Sequence, residues 1–228
     1  MRGPFEPRFS ELPAHIPIFP LAGALLLPGG RLPLNIFEPR YLAMVRDAMA
    51  SPLRLIGMIQ PHDQLSNEGE DTPSASQDQN AFYQIGCAGR ISTFDESDDG
   101  RILITLSGCA RFTYQRHRRL EEGYLMADID WQGFASDLKP DTHKIDRVHL
   151  LDVLRHYFDV MGFKADWDHI ENCEDERLIS TLSMICPFGI AEKQALLEAP
   201  ELEQRSQLLI AIMEMASHGE SDDAAPRH

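Results

Sequence analysis

Short apolar runs separated by proline and glycine occupy the first part of the chain and predict β-strands. The first three runs cover residues 16–21, 24–27 and 32–37. Between the last two, Pro28-Gly29-Gly30 has the composition of a tight turn, because proline fixes φ and glycine tolerates positive φ. The pattern therefore predicts a hairpin at the start of a β-sheet.

A helical period interrupts the strands once. Proline at position 39 suits the first turn of a helix, and apolar residues recur at helical spacing up to residue 51. Further strands are predicted over residues 53–60, 83–94, 101–108, 110–118 and 124–132. Alternation such as Ile102, Ile104 and Leu106 places one face of a strand inward. The strands are numerous enough to close a barrel-like sheet.

Beyond residue 137 the apolar period becomes helical. Two stripes stand out: Leu151, Leu154, Phe158 and Met161, and then Leu178, Ile179, Leu182 and Ile185. Further helices are predicted over residues 190–197 and after Pro200. The second part of the chain is therefore predicted to be a helical bundle.

Together these patterns predict an α+β protein with two subdomains, a β-barrel over residues 1–136 and a helical bundle over residues 137–217. Residues 62–81 are rich in Asp and Glu and contain no Lys or Arg, which predicts a mobile acidic loop. Small polar residues over 218–228 predict a disordered tail.

Charge and composition narrow the classes of partner. The 228 residues carry a net charge of -15, whereas nucleic-acid-binding proteins carry a clustered basic surface. Nucleic acid is therefore an unfavourable partner. The apolar run over residues 16–28 is shorter than the roughly 20 residues that a membrane-spanning helix needs, and no basic segment precedes it as in a secretory signal. The expected location is cytoplasmic, with no membrane contact and four reduced cysteines.

Several motifs carry a resemblance to a known family. The first reads Ile-Pro-Ile-Phe-Pro-Leu from Ile16, Leu-Pro-Gly from Leu27, and Leu-Pro-Leu-Asn-Ile-Phe-Glu-Pro-Arg-Tyr from Leu32. The second covers residues 84–91, the third residues 106–112, and a looser match covers residues 195–205. Over residues 13–215 the chain closely resembles the N-terminal, substrate-recognition domain of Lon proteases, and especially its stand-alone bacterial relatives.

The resemblance implies a PUA-like β pseudo-barrel followed by helices, with residues 106–112 as a hairpin, and a role in holding or selecting polypeptide. The rest of full-length Lon is not expected here. The chain contains no GxxxxGK[ST] loop for ATP phosphates, and it ends before a Ser-Lys protease domain could begin. No catalytic residue and no cofactor are therefore predicted.

The candidates for binding extended polypeptide are Ile36, Phe37, Arg40 and Tyr41. An aromatic pair flanking a guanidinium could form the edge of a peptide site. The alternative is structural: Phe37 and Tyr41 attach the helix to the barrel, Glu38 caps the helix, and Arg40 pairs locally.

A basic cluster stands out in this acidic protein, and its arginines are the candidates for binding an anion: Arg111, Arg116, Arg118 and Arg119. Nearby Glu121 and Glu122 partly neutralise it. Intramolecular pairing and a docking patch for an acidic partner are the alternatives.

Metal and nucleophile sites are weakly supported. His149, Asp152 and His156 share a helical face, as a zinc site requires, but that face lies opposite the apolar stripe and is expected to be solvated. His169 and Cys173 would form only half a site, so no metal is predicted. No Gly-x-Ser-x-Gly elbow occurs, whereas a spatial Cys-His pair stays open.

The sequence therefore favours a non-catalytic polypeptide-recognition module that binds unfolded or extended protein segments. One alternative is a docking or adaptor subunit of a larger proteolysis or quality-control complex, with a protease or chaperone component as its partner. Another is nucleic-acid or anion binding through the arginine cluster. An enzyme that uses a pocket in the barrel is a further possibility, which only coordinates can test.

Overall fold

The computed structural model describes residues 7–62, 81–139 and 145–223, with side chains as far as residue 218. The strands are β1 (His15–Pro20), β2 (Arg31–Ile36), β3 (Leu55–Ile59), β4 (Ile85–Glu96), β5 (Ile102–Arg119) and β6 (Leu125–Asp130). The α-helices are α1 (Pro39–Ala50), α2 (Arg147–Val160), α3 (Trp167–Asn172), α4 (Asp175–Ile185), α5 (Ile190–Glu198) and α6 (Leu202–Asp223). Short 3₁₀-helices cover Phe9–Glu11 and Gln132–Leu138. The predicted α+β class is confirmed.

The six strands form one sheet, and five of these strands close into a ring. The ring runs β5-β4-β3-β1-β6 and returns to β5, with β1 and β3 parallel and the other neighbours antiparallel. The ring is not a clean barrel, because β2 and the outer halves of β4 and β5 extend beyond it as a three-stranded antiparallel wing. Within the wing, β2 pairs with the first half of β5 over Arg31–Ile36.

The strand predicted over residues 24–27 is wrong. These residues form an irregular segment whose leucines, Leu25, Leu26 and Leu27, are buried, and β2 pairs with β5 rather than with this segment in a hairpin. An apolar run signals burial, and burial does not distinguish a strand from a packed loop. The segment is held against β5 instead: Gly29 N donates to Gly108 O at 3.1 Å, and Gly108 N donates to Gly30 O at 2.9 Å.

The two strands predicted over residues 101–108 and 110–118 are one continuous strand, β5. The motif over residues 106–112 is therefore not a hairpin but lies where β5 passes from the wing into the ring. Its glycine does not make a turn. A Cβ on Gly108 would lie 2.0 Å from the carbonyl oxygen of Leu27, so glycine permits the close approach of the packed loop.

Two apolar clusters form the core. The ring is filled by a cluster that includes Ile16, Ile18, Leu55, Phe112 and Ala127. A second cluster joins the sheet and α1 to the helical part, and it includes Leu27, Ile36, Met44, Leu154, Tyr157 and Leu209. The sheet and the helices therefore share an apolar interface.

The predicted helices form, but some of their buried faces differ from the prediction. In α2 the buried residues are Leu150, Leu154, Tyr157 and Phe158, while Leu151 is half-buried. In α4 the last apolar residue of the predicted stripe, Ile185, is 67% exposed. Helix ends project beyond the neighbours that cover the middle of the helix, so an apolar period there does not ensure burial.

Several features at the edges of the described residues bear on the predictions. The acidic loop lies outside the described residues except for its ends, where His62 N donates to Ala81 O at 3.0 Å. The predicted tail is helical as far as Asp223, and its remaining residues lie outside the described part. Among the helices of the described residues, none is both long and apolar enough to cross a lipid bilayer.

Candidate functional site

The four polypeptide-binding candidates are split between core and surface. Ile36 and Tyr41 are buried, and the Tyr41 ring packs 4.2 Å from the ring of Phe19. Arg40 pairs with Glu38 at 2.8 Å and lies over the Tyr41 ring. Phe37 is 62% exposed, beside a cavity of about 170 Å³. The geometry matches the structural alternative for Tyr41 and Arg40 and leaves Phe37 accessible.

The arginine cluster is not one site. Arg111 is buried, whereas the side chains of Arg116 and Arg118 are 73% and 59% exposed. Both exposed arginines approach the carboxylate of Asp128, at 2.5 Å and 3.8 Å, and Arg119 donates to the carbonyl of Gly123. The hydrogen bond from Arg116 is the main cause that lowers the pKa of the Asp128 carboxyl below its usual value. Arg111 therefore does not join the other three arginines in one anion site, and its contacts match the alternative of intramolecular pairing.

Arg111 instead connects the ring to the end of α5. Its Nε and Nη2 donate to the two carboxylate oxygens of Asp137 at 2.9 and 2.7 Å. Its Nη1 donates to the carbonyls of Leu197 and Ala199 at 3.1 and 2.6 Å, and Nη2 also donates to that of Pro200 at 3.0 Å. The last carbonyls of a helix lack hydrogen-bond donors within the helix, and here the Arg111 guanidinium donates to them. The role of Arg111 is therefore structural.

The histidines proposed as metal ligands do not converge. His149 Nε2 lies 3.6 Å from Glu214, and Asp152 approaches Arg155. Over residues 7–62, 81–139 and 145–218, no group of three or more His, Cys, Asp or Glu is placed to hold a metal ion. The helix that contains His169 is capped by Asp166, whose carboxylate accepts from the backbone N of His169.

The cysteines differ in burial. Cys87 and Cys186 are buried, while Cys109 and Cys173 are half-buried. Burial raises the pKa of the Cys87 thiol and raises that of Cys186 to about 11. Neither buried thiol is suited to act as a nucleophile, because the reactive form is the thiolate.

We expect Cys109 and Cys173 to react with Ellman's reagent in the native protein at pH 8, and Cys87 and Cys186 to react only after denaturation. With a pKa of about 11, only about one Cys186 thiol in a thousand is ionised at that pH. The double variant Cys109→Ser, Cys173→Ser should then be almost unreactive until denaturant is added; reaction at the unfolded rate would contradict the prediction.

The same shift has a consequence for alkaline stability. The folded chain keeps the Cys186 proton at a pH where the unfolded chain releases it. The contribution of this thiol to the free energy of unfolding is therefore fully present below its ordinary pKa of 9.0 and is lost as the pH rises to about 11.

Sequence reasoning missed a groove of about 690 Å³. It lies between the first half of β1, the end of α1 and the start of β6. Its apolar lining includes Pro17, Ala48, Pro52, Leu53 and Met126. Pro17, which lies between apolar residues in the motif that begins at Ile16, was the local sign of this groove in the sequence. The groove itself forms only because β1 pairs with β6 and α1 lies beside them.

Few polar groups reach this groove. They are the side chains of Glu11, His15, Asp47 and Tyr124, and the hydroxyl of Ser51. The Tyr124 hydroxyl donates a hydrogen bond to the Asp47 carboxylate at 2.7 Å. Burial, aided by this hydrogen bond, raises the pKa of Tyr124. Tyr124 therefore stays protonated. A concave apolar surface with a few polar groups at its edge is typical of a binding site.

Comparison with known proteins agrees with the fold. The sequence model of the ATP-dependent protease La (LON) substrate-binding domain matches residues 15–215. The chain is 28% identical to a Lon protease of Flavobacterium johnsoniae over 204 residues, covering 86% of this chain and 23% of that protein. It is 23% identical to a Lon protease of Anaeromyxobacter dehalogenans, covering 89% of this chain and 23% of that protein. The chain thus spans about a quarter of the length of these curated relatives.

Two solved structures have the same fold. A Lon N-terminal domain protein from Xanthomonas campestris is 24% identical, with a TM-score of 0.56, covering 86% of this chain and 97% of that one. The N-terminal domain of a Mycobacterium avium complex Lon protease is 15% identical, with a TM-score of 0.58, covering 88% and 98%.

Proposed function

The chain belongs to the family of the ATP-dependent protease La (LON) substrate-binding domain, and from this premise we propose that it binds unfolded or extended polypeptide without cleaving it. The observation that supports this proposal most directly is the groove of about 690 Å³ beside β1. Its walls are mainly apolar, and unfolded chains differ from folded ones chiefly in the apolar side chains that they expose. Burial of such side chains would supply the binding free energy.

Recognition in this groove would depend on side chains. β1 pairs with β6 over His15–Ile18 and with β3 over Ile18–Pro20, and Pro17 in the groove lining has no backbone N–H with which to bond an added strand. Apolar contacts without strand pairing tolerate many sequences. Ordering an extended chain also costs conformational entropy, so we expect modest affinity for any one segment.

A second surface for extended polypeptide lies at the end of β2. Among the strands described, β2 pairs only with β5, so its outer edge has no strand partner. Phe37 follows this strand and is 62% exposed. An extended segment could add to such an edge by main-chain hydrogen bonds while a side chain contacts Phe37.

The double variant Leu53→Gln, Met126→Gln should weaken binding of an unfolded client about tenfold. It removes roughly 1.4 kcal/mol of apolar burial, at about 25 cal/mol per Å². Fluorescence anisotropy with a labelled, permanently unfolded protein measures the affinity. Val148→Gln is the control, because Val148 is an apolar residue of α2 that is 73% exposed and does not line the groove. Equal affinity of the double variant and the wild type would exclude the groove.

Hydrogen–deuterium exchange with the same client separates the two surfaces. Binding in the groove protects β1 and residues 47–55, whereas binding at the β2 edge protects residues 31–41. Protection at neither surface, together with no measurable affinity, would contradict the proposed function.

A further inference from the structure

We propose that the groove beside β1 prefers polypeptide segments in which lysine or arginine flanks apolar residues. This inference rests on the proposed function and specifies which segments the groove favours. It follows from the charges that line the groove and from the way in which each is paired.

The two acidic groups in the groove have no cationic partner within residues 7–62, 81–139 and 145–218. Glu11 accepts a hydrogen bond from the backbone N of Arg8 at 2.8 Å, and Asp47 accepts from the Tyr124 hydroxyl at 2.7 Å. Neither carboxylate takes part in an ion pair among the described residues. By contrast, Glu38 and Asp137 are each paired with an arginine. Both groove carboxylates are therefore open to a cationic group of a ligand.

In the part of the chain that the structure describes, no lysine or arginine lines the groove. Among the described residues that line the groove, the remaining basic residue is His15, whose Nδ1 lies 2.7 Å from Asp128. The lining is thus negative, in a chain whose net charge is -15.

A segment with basic flanks complements this lining in two ways. The aliphatic part of lysine or arginine packs on apolar walls while its charged end reaches a carboxylate. Acidic flanks would instead meet like charges, which disfavours such segments. Two exposed ion pairs correspond to about a fivefold difference in affinity between lysine-flanked and glutamate-flanked segments.

The test uses three labelled peptides with one apolar core and lysine, glutamine or glutamate flanks, titrated with the full chain by fluorescence anisotropy. We expect affinity to decrease from lysine to glutamine to glutamate, and the spread to shrink at high salt. The double variant Glu11→Gln, Asp47→Asn keeps both hydrogen-bond acceptors and should lose most of the preference.

The matched control is Asp95→Asn, Glu96→Gln, which changes the net charge equally at exposed positions of the wing. It should keep the preference. Equal binding of all three peptides would overturn this inference and leave the proposed function intact, whereas binding of none would overturn both. Light scattering provides a further check, because it measures the oligomeric state. A dimer that persists with the lysine-flanked peptide but is lost in the variant Glu11→Gln, Asp47→Asn would assign the groove to a second copy and overturn the inference.

Discussion

Replacing Arg111 with methionine is expected to destabilise the folded protein by about 3–5 kcal/mol, because it leaves a buried carboxylate without its counterion. The side chains of Arg111 and Asp137 are only 3% and 6% exposed, so water cannot replace the lost partner. The variant also removes three hydrogen bonds to carbonyls at the end of α5, of which only that of Ala199 keeps a second donor, Arg205. Methionine fills similar space, so the loss is mainly polar rather than a cavity.

Urea unfolding followed by circular dichroism measures this effect as a decrease in the midpoint at unchanged slope. The matched control is Arg116→Met on the same strand, whose side chain is 73% exposed and whose loss should cost less than about 1 kcal/mol. The double variant Arg111→Met, Asp137→Leu should recover part of the stability, since it removes the orphaned charge, but not the carbonyl hydrogen bonds. Equal midpoints for Arg111→Met and Arg116→Met would contradict the structural role.

Gly108→Ala is expected to cost about 3 kcal/mol or more, at the upper end for added volume in a packed core. The added Cβ would lie 2.0 Å from the Leu27 carbonyl oxygen and 2.8 Å from its carbon. These are backbone atoms, so no side chain can rotate away. Relief requires the loop to move from β5, which breaks the hydrogen bonds of Gly108 with Gly29 and Gly30.

The same unfolding experiment tests this variant against Gly133→Ala. A Cβ at Gly133 meets nothing within 4 Å, and its φ is not positive, so the change in stability should stay within about 0.5 kcal/mol. The φ of Gly108 is likewise not positive. Any loss of stability in Gly108→Ala therefore comes from the steric contact and not from backbone strain. A Gly108→Ala protein as stable as Gly133→Ala would show that the loop does not pack against β5 as described.

Sequence patterns were most reliable where one local signal decides the element. Proline at the start and an apolar period placed α1 almost to the residue, and alternation located β6 within two residues at each end. They failed where burial has a nonlocal cause. The run over residues 24–27 is apolar because it packs under the helices, and Arg111 lies close to other arginines in sequence while its side chain points into the junction with α5.

The sequence by itself determined the family, the α+β class and most element positions, because motifs and periodicity depend on neighbouring residues. The tertiary structure alone decided which side chains act together. Arg111 and Ala199 meet across 88 positions, and Tyr124 reaches Asp47 across 77. Such contacts depend on how β5 and β6 close the ring and where α1 and α5 pack against it. A local sequence pattern carries no information about that closure, so the groove and the buried arginine became visible only in the folded chain.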